Sequence, residues 1–135
     1  MAPTLYGLAA AGVALLHLAS IAFAVAGAAL LPRWPALVVL HAPAVAWAAW
    51  ISFSGGVCPL TPLENRFRAL AGQDSYAGGF VEHYLWPLIY PAGLTPGWQV
   101  VLGGAVLAIN VGSYAAWWRG RRRRSAQRDG SCPPA

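Results

Sequence analysis

Lysine is absent from this chain, and charge of either sign is scarce. All nine basic residues are arginine, the acids number four, and charged residues make up 10% of the 135 positions. A water-soluble domain of this length is roughly a quarter charged, so water is excluded as the solvent of most of the chain. Cysteine is nearly as rare, with only Cys58 and Cys132. No HxxxH, CxxC or CxxCH spacing occurs, which removes the sequence-local ligand sets for zinc and haem. A Ser-His-Asp set, a phosphate loop and a carboxylate pair flanking a substrate pocket are likewise missing.

What is present is apolar. No Asp, Glu, Lys or Arg occurs from Met1 to Pro32, from Trp34 to Leu63, or from His83 to Trp118. The last stretch would reach about 54 Å as one helix, well beyond a hydrocarbon core of roughly 30 Å. It is interrupted by Pro91, Gly93, Pro96 and Gly97, which favour a turn. The pattern therefore predicts an all-α, polytopic membrane bundle of four spans over 1–118: Leu5–Leu30, Pro35–Phe53, Tyr76–Pro91 and Gly97–Trp118. The third is short, carries Pro87 and Pro91, and is also compatible with a re-entrant segment. The first span exceeds a signal-peptide h-region and lacks a basic flank, so a retained helix is expected. Gly104, Ala108 and Gly112 recur every four residues in the last span and are expected to let helices approach closely.

Six of the nine arginines lie between Arg119 and Arg128. A basic tail with no soluble domain in front of it argues against nucleic-acid binding and for membrane orientation. Four spans put eight arginines on the cytoplasmic side with both termini, and only Arg33 opposite. Three spans give seven against two. On the four-span reading Trp34 and Trp98 mark the outer interface, and Tyr6, Trp117 and Trp118 the inner one. Both cysteines then face the cytoplasm as thiols. Residues 119–135 are expected to form a disordered cytoplasmic tail, with Arg119, Arg121, Arg122, Arg123 and Arg124 meeting anionic lipid headgroups of the bilayer.

The stretch CPLTPLEN fits a capping box, with Thr61 at the N-cap, Pro62 first in the helix and Glu64 third. The helix is expected over 62–71, stopped by Gly72. Leu63, Phe67 and Leu70 share a face, so this is read as an amphipathic helix on the cytoplasmic interface.

Polar side chains inside the spans are costly and mark function more often than elsewhere. His17, His41, His83, Glu82 and Asn110 form the candidate cluster, with His17 near the midplane and Asn110 close to His83 in depth. Imidazoles in such surroundings can ligate haem or a transition metal, relay protons, or simply bond a neighbour such as Ser20 or Asn110.

The runs CPLTPLEN, RFRALAG and GGFVEHYLWPLIYP, preceded by His17 with Phe23 and by His41, resemble a bacterial membrane family called domain of unknown function 2784. The resemblance covers most of the chain and implies a small helical protein of the bacterial cytoplasmic membrane, without an activity. Its motif residues here are His17, His41, Cys58, Thr61, Glu64, His83 and Tyr84. The basic tail and Cys132 fall outside its pattern. The expected function is a structural or accessory membrane component. The alternatives are a redox, haem- or metal-binding protein using His17, His41 and His83, and proton or small-solute passage.

Overall fold

The computed structural model describes residues 2–85, 87 and 96–129, and every regular element among them is helical. Helix α1, Ala2–Ala26, draws more than half of its residues from Ala and Leu and continues as a 3-10 turn over Gly27–Leu30. Its only proline, Pro3, sits in the first turn, where no amide bond is lost. Pro35–Leu37 forms another 3-10 turn leading into α2, Val38–Ser54, which tolerates Pro43 and stops at Gly55 in the left-handed region (φ 64°). Helix α3 is Leu60–Leu70. It ends where expected: Gly72 has φ 73°, its N–H donates to Ala69, and the Gln73 N–H donates to Arg68. That pair of bonds is a Schellman ending, which needs a residue free of a Cβ. Val81–Leu85 makes one π-helical turn, and α4, Pro96–Asp129, opens on its proline.

Side-chain pairings fix how these helices lie. His41 on α2 meets both Phe23 on α1 and Tyr114 on α4. Gly103 on α4 lies against Ser52 and Phe53, and Gln99 against Gly55, so α2 and α4 run antiparallel in steady register. Asn110 bonds the Ala24 carbonyl, which makes α1 and α4 parallel. At the far end of α1, Tyr6 stacks on Phe67 and Gly7 meets Ala71. Helix α3 therefore packs along the first half of α1, and α4 packs alongside the second half.

Two ends of the bundle follow. One holds the start of α1, the end of α2, α3 and the start of α4. The other holds the α1–α2 turn, with Arg33, and the basic end of α4. The two termini of the described chain are thus at opposite ends, not on one side as four spans require. The aromatic pairing changes with them: Tyr6 goes with Trp98, and Trp34 with Trp117 and Trp118.

The expected third span lies partly outside the described residues. Within it, residues 76–79 are not helical, whereas 80–85 and 87 are, with Val81–Leu85 as a π turn. Tyr84 bonds Glu64 on α3, and Gln99 lies against Gly55, so the segment leaves and returns at the same end. Three helical stretches, Ala2–Leu30, Pro35–Ser54 and Gly97–Ser125, are long and apolar enough to cross a membrane. The segment expected to be an unstructured tail is helical as far as Asp129; Cys132 lies outside the described residues.

A further expectation fails on packing grounds. Gly104 and Gly112 meet nothing at their Cβ positions, whereas a Cβ on Gly103 would come within 2.8 Å of Ser52. The packed face of α4 runs through Gly103, Asn110 and Tyr114. Helix α3, in turn, buries Thr61 and Glu64 and leaves Leu63 and Leu70 exposed. Its polar side faces the protein.

Candidate functional site

Glu64 is only 1% exposed, and α3 presents it to α1. Phe80 packs against His17 on α1 and against Tyr84, which bonds Glu64, so Glu64 lies close to the level of His17.

Each Glu64 oxygen accepts a phenol. Tyr84 donates to Oε1 at 2.8 Å and Tyr76 to Oε2 at 2.9 Å. Arg68, one turn on from Glu64, donates from Nη1 to the Tyr84 hydroxyl at 3.2 Å and from Nε to the Asp74 carbonyl at 2.8 Å. Its guanidinium also lies 5.7 Å from the Tyr76 ring centre, a favourable cation–π position. Asn65 completes the arrangement: its amide donates to the Tyr76 carbonyl at 2.8 Å while its Oδ1 accepts the Tyr76 N–H at 3.2 Å. Successive residues of one helix thus grip the segment that follows it.

Burial, followed by the hydrogen bond to Glu64, pushes the Tyr76 phenol well above its ordinary range; Arg68 pulls weakly the other way. Tyr84 is raised by the same two leading causes. Both groups hold their protons firmly, as donors to a carboxylate must.

The capping box is overturned by this geometry. Thr61 lies inside α3, Pro59 occupies the N-cap without a side-chain bond, and Thr61 Oγ1 is buried with no partner among the described residues. The Cys58 carbonyl accepts the Thr61 amide at 2.9 Å, so that amide needs no carboxylate. Cys58 itself is a half-buried free thiol.

The histidines do not share one point. His17 is buried beside Phe80, with ring centres 4.4 Å apart, and its Nδ1 has no partner among the described residues. His41 is fully buried; its Nε2 donates to the Phe23 carbonyl at 3.0 Å, and its Nδ1 faces the Tyr114 hydroxyl. Because a carbonyl only accepts, Nε2 carries a proton, and in the neutral tautomer Nδ1 accepts from the Tyr114 hydroxyl. A Cβ on Gly27 would lie 2.5 Å from this ring, which is why the chain has glycine there. His83 is exposed and stacks flat on Tyr76 at 3.9 Å.

Asn110 does not reach His83. Its Nδ2 donates to the Ala24 and Val106 carbonyls, and its Oδ1 is buried without a partner among the described residues. Ser20 bonds the Leu16 carbonyl instead of a histidine. Glu82 accepts the nearby Gly79 N–H at 3.4 Å. Among the described residues no three His, Cys, Asp or Glu side chains are grouped to hold a metal ion.

Sequence reasoning missed Tyr76, Arg68, Asn65 and Tyr114 as site residues. Tyr114 carried a signal, since it stands one helical turn after Asn110 and so shares its face. Tyr76 carried none, because it lies in a loop.

The chain belongs to the family described as Protein of Unknown function (DUF2784), whose profile matches residues 7–115. The match takes in the whole Glu64 cluster and the His41–Tyr114 contact and stops before the first arginine of the basic segment. No curated protein and no solved structure matches the chain significantly.

Proposed function

We propose that this protein is an integral membrane component of structural or accessory type, crossing the bilayer three times and carrying a locked cap at its outer end. One observation carries the membrane reading: the polarity is inside out. Of the five largest fully buried side chains among the described residues, four are polar, namely His41, Glu64, Asn110 and Thr61, while Leu5, Leu8, Val39, Trp50 and Val111 are each 66% exposed or more. Water would penalise that arrangement, whereas lipid rewards it. The pairings also bring roughly 18 residues each of α1, α2 and α4 into one common layer about 27 Å thick, close to a hydrocarbon core.

The arginines support an orientation. Arg33 and the six on α4 share one end, with Arg66 and Arg68 at the other, so the basic end is cytoplasmic. The start of α1, Cys58 and the Glu64 cluster are then outside. The accessory role rests on Glu64, whose two oxygens are held by Tyr76 and Tyr84 and so clamp residues 72–85 onto the helices.

Thiol labelling of intact cells tests this, with Cys132→Ser as the background. Cys58 is expected to react with a membrane-impermeant maleimide, and Arg33→Cys in a Cys58→Ser chain only after permeabilisation. Labelling of Arg33→Cys alone would reverse the orientation. Release of the protein by alkaline carbonate would remove the membrane reading altogether.

A further inference from the structure

At the basic end, α4 continues past the α1–α2 turn. Ala24 is level with Asn110, so α1 runs out near residue 117 and the rest of α4 projects roughly 18 Å beyond it. Between the turn and this projection lies a cleft of about 580 Å³. Its walls are mainly apolar, with Ala28 and Pro32 on the turn and Ala116 and Trp117 on α4, and Ser113 and Ser125 are the uncharged polar residues among them. Its mouth carries Arg121 and Arg124.

These two arginines are three residues apart and so share a helix face. Arg121 stands over the Trp117 ring at 5.1 Å, which holds its guanidinium at the rim. Three of the four acids, Glu64, Asp74 and Glu82, belong to the opposite end of the molecule, and the fourth, Asp129, closes α4 beyond the cleft residues. The cleft thus joins a chain-sized apolar slot, within the usual range of roughly 300–1,000 Å³ for ligand sites, to a pair of forked phosphate donors.

We propose that this cleft binds one anionic phospholipid, its acyl chain against Ala28, Pro32 and Ala116 and its phosphate between Arg121 and Arg124. The proposal rests on the membrane reading above, because only there does the cleft open at the level of lipid phosphates. The charge fits an anionic headgroup, and the apolar floor fits a chain that a soluble phosphate lacks.

The test is native mass spectrometry of the detergent-purified full chain with phosphatidylglycerol, phosphatidylcholine or glycerol 3-phosphate added. The wild type is expected to retain one phosphatidylglycerol and to bind the other two far more weakly. Each cleft arginine removed should lower affinity roughly fivefold, so Arg121→Gln with Arg124→Gln loses the lipid. Arg119→Gln with Arg123→Gln, which removes equal charge outside the cleft, should keep it. Ala116→Phe, which fills the slot and leaves the charge, should lose it.

Equal loss in both arginine pairs would overturn the site in favour of diffuse attraction to the basic helix. Equal retention of phosphatidylcholine would overturn the charge argument, and displacement by glycerol 3-phosphate would overturn the acyl slot. Carbonate extraction of each variant separates the two readings. A protein that stays in the membrane yet keeps no phosphatidylglycerol defeats this proposal alone.

Discussion

Tyr76 and Tyr84 are the side chains on which the clamp over Glu64 depends. Each donates to one oxygen of a buried Glu64, and hydrogen bonds to charged groups contribute about 1.5–3 kcal/mol. Tyr76→Phe or Tyr84→Phe should therefore each cost about that much in detergent unfolding. Because they share an acceptor, the double variant is expected to depart from additivity by about 0.5 kcal/mol or more. Strict additivity in a double-mutant cycle would mean that the carboxylate does not couple them.

The same two phenols set an alkaline limit. Their folded-state pKa values are raised, so the folded chain keeps protons that the unfolded chain releases near pH 10. The stability they contribute is fully present below about pH 10 and is lost as pH climbs towards the folded values. Melting temperature should fall between pH 9 and pH 11, and the fall should be shallower in Tyr76→Phe. An unchanged slope in that variant would remove Tyr76 as the cause.

At the scale of the element, neighbouring glycines on α4 separate packing from composition. Gly103 faces Ser52 and Phe53 at distances a methyl cannot enter freely, while Gly104 faces open space. Gly103→Ala should destabilise by about 1–3 kcal/mol, the usual cost of overpacking. Gly104→Ala should be neutral or stabilising by up to about 1 kcal/mol, since alanine favours helix. Equal effects at the two positions would mean that α2 and α4 do not meet through this face. The small-residue spacing in the sequence pointed to the wrong one of the pair, because spacing defines a stripe on a helix without saying what lies opposite.

For the molecule as a whole, the long helices were legible because charge-free runs of that length admit few other outcomes. Helix α3 was legible within two residues at its start and one at its end, since Gly72 is the residue a Schellman ending needs. Glu64, Thr61 and Tyr84 were visible as motif residues, but their roles were not. The bonds to Glu64 come from residues 12 and 20 positions further along, and those to His41 from 18 and 73 positions away. Local reasoning assigned Glu64 to the nearest amide, Thr61, and a capping box was the result. The third expected span, Tyr76–Pro91, lies partly outside the described residues, and its described flanks meet the same end of the bundle; composition measures how apolar a segment is, not whether its two ends emerge on opposite faces.

The His41 contact has a consequence for biosynthesis. On a growing chain the α1–α2 hairpin is complete long before Tyr114 exists. His41 can reach the Phe23 carbonyl at that stage, yet its Nδ1 has no phenol to accept from, and the Ala24 carbonyl still lacks the Asn110 amide. In lipid, apolar surfaces slide past one another with little preference, whereas unmet polar groups do not. The nascent hairpin therefore carries a lock with two wards, four residues apart on the helix still to come. Only α4 in its proper register turns it, and a helix displaced by even one residue swings both side chains about 100° away.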